Sequence, residues 1–280
     1  MRVTILVDNL AARGLEAEWG LSIYVEYQGH AILLDTGASD RFARNADTLG
    51  IDLSTVSFGV LSHAHWDHGN GMGTFFARNP TAPFYLRQGC GETCYDKTPE
   101  GWRYEGLQRG LLTTFAPRIR YVTGDFSPLP GVTLLPHKTP GLAQRGLAAN
   151  MYRKVGDQWL PDDFSHEQSL VFSTPKGLVI FSGCHGGADN IVRVADTFPA
   201  ISAIVGGFHL RHPRPGGPGL RPPAGGDRGN PSNHRTLHRA RGPGHPDPGL
   251  GQPGAAPLHR VGADLLTAAE TYMYSQKHPL

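Results

Sequence analysis

The densest group of chemically active side chains lies in the segment Ser62–Gly71, which reads SHAHWDHGNG. It holds His63, His65, Asp67 and His68, and imidazole nitrogen and carboxylate oxygen are the ligands that borderline divalent metals prefer. On an extended segment His63 and His65 point to the same side, so they can hold one ion together. Asp67 and His68 follow a bend and can turn towards a second ion. The pattern therefore predicts a metal site rather than a solvated polar loop.

Two further histidines follow apolar runs that are typical of strands. Leu178–Phe181 leads to the sequence SGCHGG, which contains Cys184 and His185, and Ile201–Val205 leads to GGFHL, which contains His209. Ligand sites in layered α/β proteins lie at the carboxyl ends of strands. We therefore expect both histidines to act as metal ligands or catalytic groups. Cys184 is ambiguous, because a thiolate binds zinc well whereas a buried cysteine is usually inert.

Other polar residues carry weaker indications. Asp35, in Asp-Thr-Gly after an apolar run, can orient a metal-binding histidine or simply cap a turn. His137 and His166 are either surface loop residues or substrate contacts. No second Cys or His pair follows Cys90 and Cys94 at finger-like spacing, so no structural zinc site is predicted there.

Short apolar runs and helix signals alternate before position 210 and predict a layered α/β domain. The predicted strands are Val3–Val7, Leu21–Tyr27, Ala31–Leu34, Phe58–Leu61, Phe84–Leu86, Tyr121–Thr123, Val132–Leu135, Ser169–Ser173, Leu178–Phe181 and Ile201–Val205. Asp40 is expected to cap a helix that runs to Leu49, with Gly50 as its C′ residue. A second helix is expected to begin at Asp189 or Asn190.

Length and composition exclude several classes of protein. The chain has 280 residues, enough for one large domain or two small ones, and a net charge of only +2. Its apolar runs are shorter than the ~18 residues of a membrane span, and its beginning does not resemble a secretory signal. Three cysteines suit a reducing compartment. We expect a cytoplasmic protein with a small-molecule substrate, no membrane association and no affinity for nucleic acid; the oligomeric state is not predicted.

The region 211–260 has a different composition from the rest of the chain. It contains 11 Gly, 11 Pro and 8 Arg, with 2 Asp and no Lys. Such a sequence cannot bury enough apolar surface to offset its chain entropy, which predicts an irregular or disordered segment. An out-of-frame reading of GC-rich DNA explains the composition equally well, and a basic arm for nucleic acid is a third, weaker interpretation. The predicted organisation is a catalytic domain over 1–210, this segment, and a short C-terminal segment over 261–280.

The motifs resemble those of a known family. His63-Ala64-His65-Trp66-Asp67-His68 is similar to the HxHxDH motif of the metallo-β-lactamase superfamily, and LLDTG before it resembles that superfamily's LxDTG segment. The GC-His and GGFHL segments resemble the branch of dihydropterin-type ribofuranosylaminobenzene 5′-phosphate synthases and similar hydrolases. In this chain His185 follows Cys184 directly, and the branch's final His-Cys-Thr-Gly-like segment is absent from the sequence.

The resemblance implies an α/β fold of the αββα metallo-β-lactamase-like sandwich type, with an atypical C-terminal part. It also implies a dinuclear site between the sheets, usually with two Zn²⁺ and with Mn²⁺ or Fe as alternatives. The implied metal ligands are His63, His65, Asp67, His68, His185 and His209, of which Asp67, His185 and His209 are also implied catalytic residues.

The expected chemistry is metal-dependent hydrolysis. Zinc lowers the pKa of a bound water towards ~7, which supplies hydroxide at neutral pH. The resemblance alone favours a small phosphoester or cyclic phosphate over an amide or lactone as substrate. Two alternatives remain open: a nuclease of the same superfamily, and a non-catalytic member that binds metal and has a damaged C-terminus.

Overall fold

The strands and helices are those of a computed structural model, which describes residues 1–138, 140–183, 201–207 and 270–271. The strands are β1 (Arg2–Val7), β2 (Ser22–Tyr27), β3 (His30–Leu34), β4 (Val56–Val60), β5 (Phe84–Arg87), β6 (Cys94–Thr98), β7 (Gly101–Tyr104), β8 (Ile119–Val122), β9 (Phe126–Leu129), β10 (Val132–Pro136), β11 (Met151–Val155), β12 (Gln158–Pro161), β13 (Gln168–Thr174), β14 (Gly177–Gly183), β15 (Ile201–Gly207) and β16 (Glu270–Thr271). The α-helices are α1 (Arg41–Thr48), α2 (Trp66–Gly69), α3 (Met72–Arg78), α4 (Leu111–Thr114) and α5 (Leu142–Ala148). Two short 3₁₀ turns cover Leu53–Thr55 and Ala116–Arg118.

The first sheet has the strand order β1-β2-β3-β4-β5-β8. β1, β2 and β3 are antiparallel neighbours, whereas β3, β4, β5 and β8 pair in parallel. The strand predicted over Leu21–Tyr27 is confirmed, and its alternate residues Leu21, Ile23, Val25 and Tyr27 all belong to one buried cluster. The carboxyl end of β4 leads directly into the histidine-rich segment, as the sequence indicates.

The second sheet has the order β16-β15-β14-β13-β10-β9 and packs against the first. The predicted strands at β13 and β14 are confirmed and form an antiparallel hairpin, and β14 pairs in parallel with β15. Aromatic rings fill the space between the sheets: the ring centroids of Tyr27 and Phe172 are 5.0 Å apart, and those of Phe172 and Phe181 are 5.6 Å apart, both edge to face. This apolar layer fixes the relative position of the two sheet ends that carry the site.

Helices α1 and α3 cover the outer face of the first sheet. Phe42 and Phe75 are fully buried there against Phe84 and its neighbours. Asp40 stands at the N-cap of α1 as predicted, but its side chain makes no capping hydrogen bond; it pairs instead with Arg44, one turn along the helix. Gly50 has the expected left-handed conformation, with φ of 68°. The helices in the described ranges are all too short or too polar to span a membrane.

The layers confirm the predicted α/β sandwich of αββα type. The helix expected from Asp189 or Asn190 lies outside the described residues. So do nearly all of the 211–280 region and its proposed boundaries.

A third sheet was not predicted from the sequence. Strands β6, β7, β11 and β12 form it in the order β12-β11-β6-β7, with every neighbour antiparallel. We call it the hairpin sheet. It contacts the segment after β4, since the Trp66 N–H donates to the Glu105 carbonyl and the Glu105 N–H to the Cys94 carbonyl. The hairpin sheet therefore forms one wall of the histidine-rich segment.

Candidate metal centre

The predicted cluster lies where β4 leaves the first sheet. His65 is in an extended conformation at the N-cap of α2, and the following bend brings Asp67 and His68 back towards His63. Gly71 lets the segment fold tightly at the end of this bend. A Cβ at Gly71 would lie 2.2 Å from the Thr36 carbonyl oxygen, so a side chain there would displace the backbone of the neighbouring loop.

Three of the predicted ligands form a compact buried group. The ligand atoms of His63, Asp67 and His68 all lie within 4.8 Å of one another, and each of the three side chains is buried. The Nε2 atom of His68 is 3.7 Å from an oxygen of Asp67, which suits two ligands that each bind one ion at about 2.0–2.2 Å. The donor set and spacing therefore fit a divalent cation. We call these three residues the three-ligand group.

Asp35 fixes the tautomers of two of these imidazoles. Its Oδ2 atom lies 2.7 Å from His68 Nδ1, and it also accepts the Ser62 hydroxyl at 2.6 Å. Because that hydroxyl donates to Asp35, it accepts from His63 Nδ1, which is 2.8 Å away. Both rings thus carry their proton on Nδ1 and present the Nε2 lone pair, the form that a metal ion requires. Of the two roles open from the sequence, orienting a histidine is the one that the structure shows for Asp35.

The backbone of Asp35 is itself unusual. Its φ of 58° lies in the left-handed region, which few residues other than glycine adopt. Its N–H donates to the Val60 carbonyl, and its Oδ1 accepts the Ser62 N–H at 2.6 Å. These bonds hold the residue against β4, and the conformation directs its carboxylate into the three-ligand group.

His65 faces a different set of side chains. Its ligand atom lies within 4.8 Å of those of Cys94, Asp162 and His166, and all four residues are buried. The ring centroids of His63 and His65 are 4.5 Å apart, so the two groups adjoin. The sequence did not single out Asp162, predicted no zinc site at Cys94, and gave His166 as a surface loop residue or a substrate contact. His166 is fully buried, contrary to the first of these roles. Cys94 and His166 are 72 positions apart, and no local pattern connects them.

The charge state of several nearby groups follows from their surroundings. Burial would raise the pKa of Asp162, but His166, the Phe164 N–H and Arg153 together lower it, so this side chain is a carboxylate. Burial raises the pKa of Cys90 to about 12, which leaves that residue an uncharged thiol. Burial also raises the pKa of Glu105, although the Trp66 indole N–H and Arg103 oppose the shift.

His137 belongs to a separate buried network at the end of the second sheet. Its Nδ1 lies 2.7 Å from a Glu167 oxygen and its Nε2 lies 2.9 Å from the Ser169 hydroxyl. Ser169 in turn donates to Ser182 at 2.8 Å. His137 is therefore fully buried, contrary to the surface loop position considered for it from the sequence, and its role as a substrate contact stays a prediction.

The predicted site residues thus fall into two sets. The structure brings together His63, His65, Asp67 and His68. Cys184, His185 and His209 lie outside the described residues, so their roles as ligand or catalytic group stay predictions.

The chain matches the family model of the metallo-beta-lactamase superfamily over residues 20–241. A match over most of the chain shows membership: the protein belongs to the metallo-β-lactamase superfamily. Together with the buried three-ligand group, this confirms the predicted resemblance and the prediction of a metal-dependent hydrolase.

Individual relatives are consistent with this family. The chain is 30% identical to Tm1679, a metal-dependent hydrolase of the beta-lactamase superfamily, with a TM-score of 0.62 over 75% of this chain and 77% of that one. It is 24% identical over 210 residues to the Methanocaldococcus jannaschii 7,8-dihydropterin-6-methyl-4-(beta-D-ribofuranosyl)-aminobenzene-5'-phosphate synthase, covering 69% of this chain and 71% of the relative. The uncharacterized protein MJ0448 from the same organism is 23% identical over 74% of this chain and 79% of its own length.

Proposed function

We propose that the protein hydrolyses a small phosphoester or cyclic phosphate with the help of two divalent cations, for which zinc is the first candidate. His63, Asp67 and His68 would hold one ion, and His65, with His185 and His209, would complete the second site. The observation that carries the proposal is the Asp35 network, which gives His63 and His68 the tautomer that a metal ion requires.

Divalent cations at this position would act as Lewis acids that activate water and stabilise negative charge on the substrate. The residues of this chain supply the surroundings of that chemistry. Burial of the three-ligand group limits access of bulk water, which strengthens every electrostatic interaction within it. Asp35 keeps the imidazole protons on Nδ1, away from the ligand atoms, and His185 or His209 would act as proton donor where it is not a ligand.

The proposed substrate class rests on the relatives. The M. jannaschii protein is named as a synthase of an aminobenzene 5′-phosphate compound, and the proposal extends that phosphate-containing chemistry to this chain. The proposal keeps the expectations drawn from the sequence: a small-molecule substrate, a cytoplasmic location, and no role for a membrane or for nucleic acid.

Metal analysis combined with a substrate panel tests the proposal. The full chain is stripped with a chelator, reloaded separately with Zn²⁺, Mn²⁺ and Fe²⁺, and assayed on phosphomonoesters, linear and cyclic phosphodiesters, lactones and β-lactams. We expect about two ions per chain and activity that requires metal and favours the phosphate esters.

His65→Ala supplies the matched variant, with the exposed Arg78→Ala as control. We expect His65→Ala to lose one ion and nearly all turnover, while the control keeps both. Full activity in the stripped protein would contradict the proposal. Two bound ions without turnover on the whole panel would favour a non-catalytic member, and cleavage of RNA or DNA alone would favour a nuclease.

A further inference from the structure

The fully buried His166 contacts the backbone between His63 and His65, two of the proposed metal ligands. The Nδ1 atom of His166 accepts a hydrogen bond from the Ala64 N–H at 3.1 Å, and its Nε2 lies 3.1 Å from an oxygen of Asp162. Ala64 is the residue between His63 and His65. The ring of His166 thus holds the backbone at the centre of the HxH segment, across 102 positions of sequence.

These contacts determine the tautomer of His166. A nitrogen that accepts an N–H must carry a lone pair, so the Nδ1 of His166 is unprotonated and the ring proton is on Nε2. The proton is donated to the Asp162 carboxylate. A metal ligand at Nε2 would need the opposite arrangement, with the lone pair on that nitrogen. His166 therefore has the wrong tautomer for a ligand, even though its atoms lie close to those of His65 and Cys94.

Asp162 is itself rigidly held. Its Oδ1 accepts the Phe164 N–H at 2.8 Å, and its own N–H donates to the Met151 carbonyl at 2.9 Å. Helix α5 packs so closely against it that a Cβ at Gly146 would lie 2.1 Å from the Asp162 carbonyl oxygen. The carboxylate that orients His166 therefore has a fixed position between α5 and the hairpin sheet.

The same segment is held at neighbouring positions by the hairpin sheet. His65 forms an isolated bridge with Gly106, and the Trp66 N–H and indole N–H both donate to Glu105, at 3.1 Å and 2.8 Å. The hydrogen bond from the Ala64 N–H to His166 also fixes the backbone between the imidazoles of His63 and His65. Displacement of that amide would change the separation of the His63 and His65 rings.

We propose that His166, oriented by Asp162, is a positioning residue that fixes the His63-Ala64-His65 backbone and so sets the spacing of the two imidazoles that would each hold one of the two divalent cations. The role in cation binding rests on the proposed function. The tautomer and the hydrogen bond to Ala64 do not, because they are properties of the metal-free chain.

Two substitutions separate the nitrogens of His166. In His166→Asn the amide oxygen can occupy the position of Nδ1 and accept the Ala64 N–H. In His166→Gln the longer side chain brings its amide to the position of Nε2, where it can donate to Asp162 or bind a metal, but it leaves Ala64 without its acceptor. A positioning role predicts that Asn is the better replacement, and a ligand role predicts that Gln is.

The first measurement uses the metal-free full chain. Nuclear magnetic resonance of nitrogen-labelled histidine should show His166 as the neutral tautomer with its proton on Nε2. Hydrogen exchange at the Ala64 amide should be slow in the wild type and in His166→Asn and faster in His166→Gln. A different tautomer, or equal exchange in the two variants, would overturn the proposal regardless of whether the protein binds metal.

The second measurement is Zn²⁺ affinity, determined by chelator competition. Loss of a residue that orients metal ligands typically costs about 10–100-fold in affinity. We expect that loss in His166→Gln and a clearly smaller one in His166→Asn. Cys94→Ser should leave the number of bound ions unchanged. The reverse order of the two His166 variants, or loss of one ion in Cys94→Ser, would instead identify His166 and Cys94 as metal ligands.

Discussion

Two histidine–carboxylate pairs are buried at the same rim of the sandwich, one at each sheet. His68 lies 2.7 Å from Asp35 beside the first sheet, and His137 lies 2.7 Å from Glu167 beside the second. The segments that carry the two pairs are joined, because the Gln168 N–H donates to the Ser62 carbonyl. In each pair the carboxylate contacts Nδ1, so the pairs cannot be distinguished by that contact.

The other ring nitrogen distinguishes them. The Nε2 of His68 faces Asp67, a second metal-ligating type of side chain, whereas the Nε2 of His137 lies 2.9 Å from the Ser169 hydroxyl. Ser169 donates its proton to Ser182, so its oxygen is free to accept from the Nε2 of His137. A buried histidine bound to a carboxylate is therefore a metal-ligand candidate only when its second nitrogen faces other ligands; otherwise it stabilises the fold.

The largest expected effect comes from the second pair and falls on stability. Disturbing a buried hydrogen-bonded polar pair costs about 1–3 kcal/mol, so Glu167→Gln should lower the free energy of unfolding by an amount in that range. The amide oxygen can still accept one bond from His137. Urea unfolding of the metal-free protein measures this change.

The same variant should bind metal at the three-ligand group with little change, because Glu167 orients none of those side chains through the contacts described above. A loss of Zn²⁺ affinity as large as the loss of stability would show that the two pairs do not have separate roles.

An intermediate effect is expected at the first pair, on metal binding. In Asp35→Asn the amide oxygen can still accept the Ser62 N–H, but the NH₂ group would face His68 Nδ1 and favour a lone pair there. The ring proton would then move to Nε2, the ligand atom. We expect Zn²⁺ affinity to fall by about 10–100-fold.

Chelator competition measures that affinity, and the tautomer of His68 is read from nitrogen-labelled histidine in the metal-free variant. Ser57→Ala, at an exposed partner of His30, is the matched control for loss of a histidine contact away from the rim. Unchanged affinity in Asp35→Asn would remove the basis for treating the first pair as part of a metal site.

The parts of the fold that the sequence predicted are those with a strong local pattern. β2 alternates because one face packs on the second sheet, and the run through β13 and β14 contains its own turn. The hairpin sheet has no such pattern. Its rings pack on one another rather than into the main core, as in the stacked pair Trp102 and Trp159, whose centroids are 3.7 Å apart.

In the candidate site, too, the residues with a local sequence pattern could be predicted and the others could not. The ligands between positions 63 and 68 are adjacent in sequence, and their residue types alone indicate a metal. The role of Asp35 could not be decided from the sequence, because an Asp-Thr-Gly sequence suits both the orientation of a histidine and the capping of a turn. The contacts of His166 with Ala64 and Asp162 could not be predicted from the sequence, because they depend on how α5 and the hairpin sheet pack beside the histidine-rich segment.

At neutral pH the smallest effect is expected at the thiol of Cys90, because its contribution changes only in the alkaline range. Its Sγ lies 3.4 Å from the His166 carbonyl, and burial raises its pKa from 9.0 to about 12. The folded state thus holds this proton more tightly than the unfolded chain does. The resulting stability is fully present below pH 9 and is lost as the pH rises from 9 towards 12.

A single thiol of this kind gives a slope of at most about 1.4 kcal/mol per pH unit. Urea unfolding in reducing buffer at several pH values should therefore show a steeper alkaline loss for the wild type than for Cys90→Ala, whose missing thiol removes that contribution. Equal slopes would mean that the thiol ionises as easily in the folded protein as in the unfolded chain. Cys90 would then be available as a thiolate beside His166, and the distinction between metal-ligating and structural side chains would fail at this position.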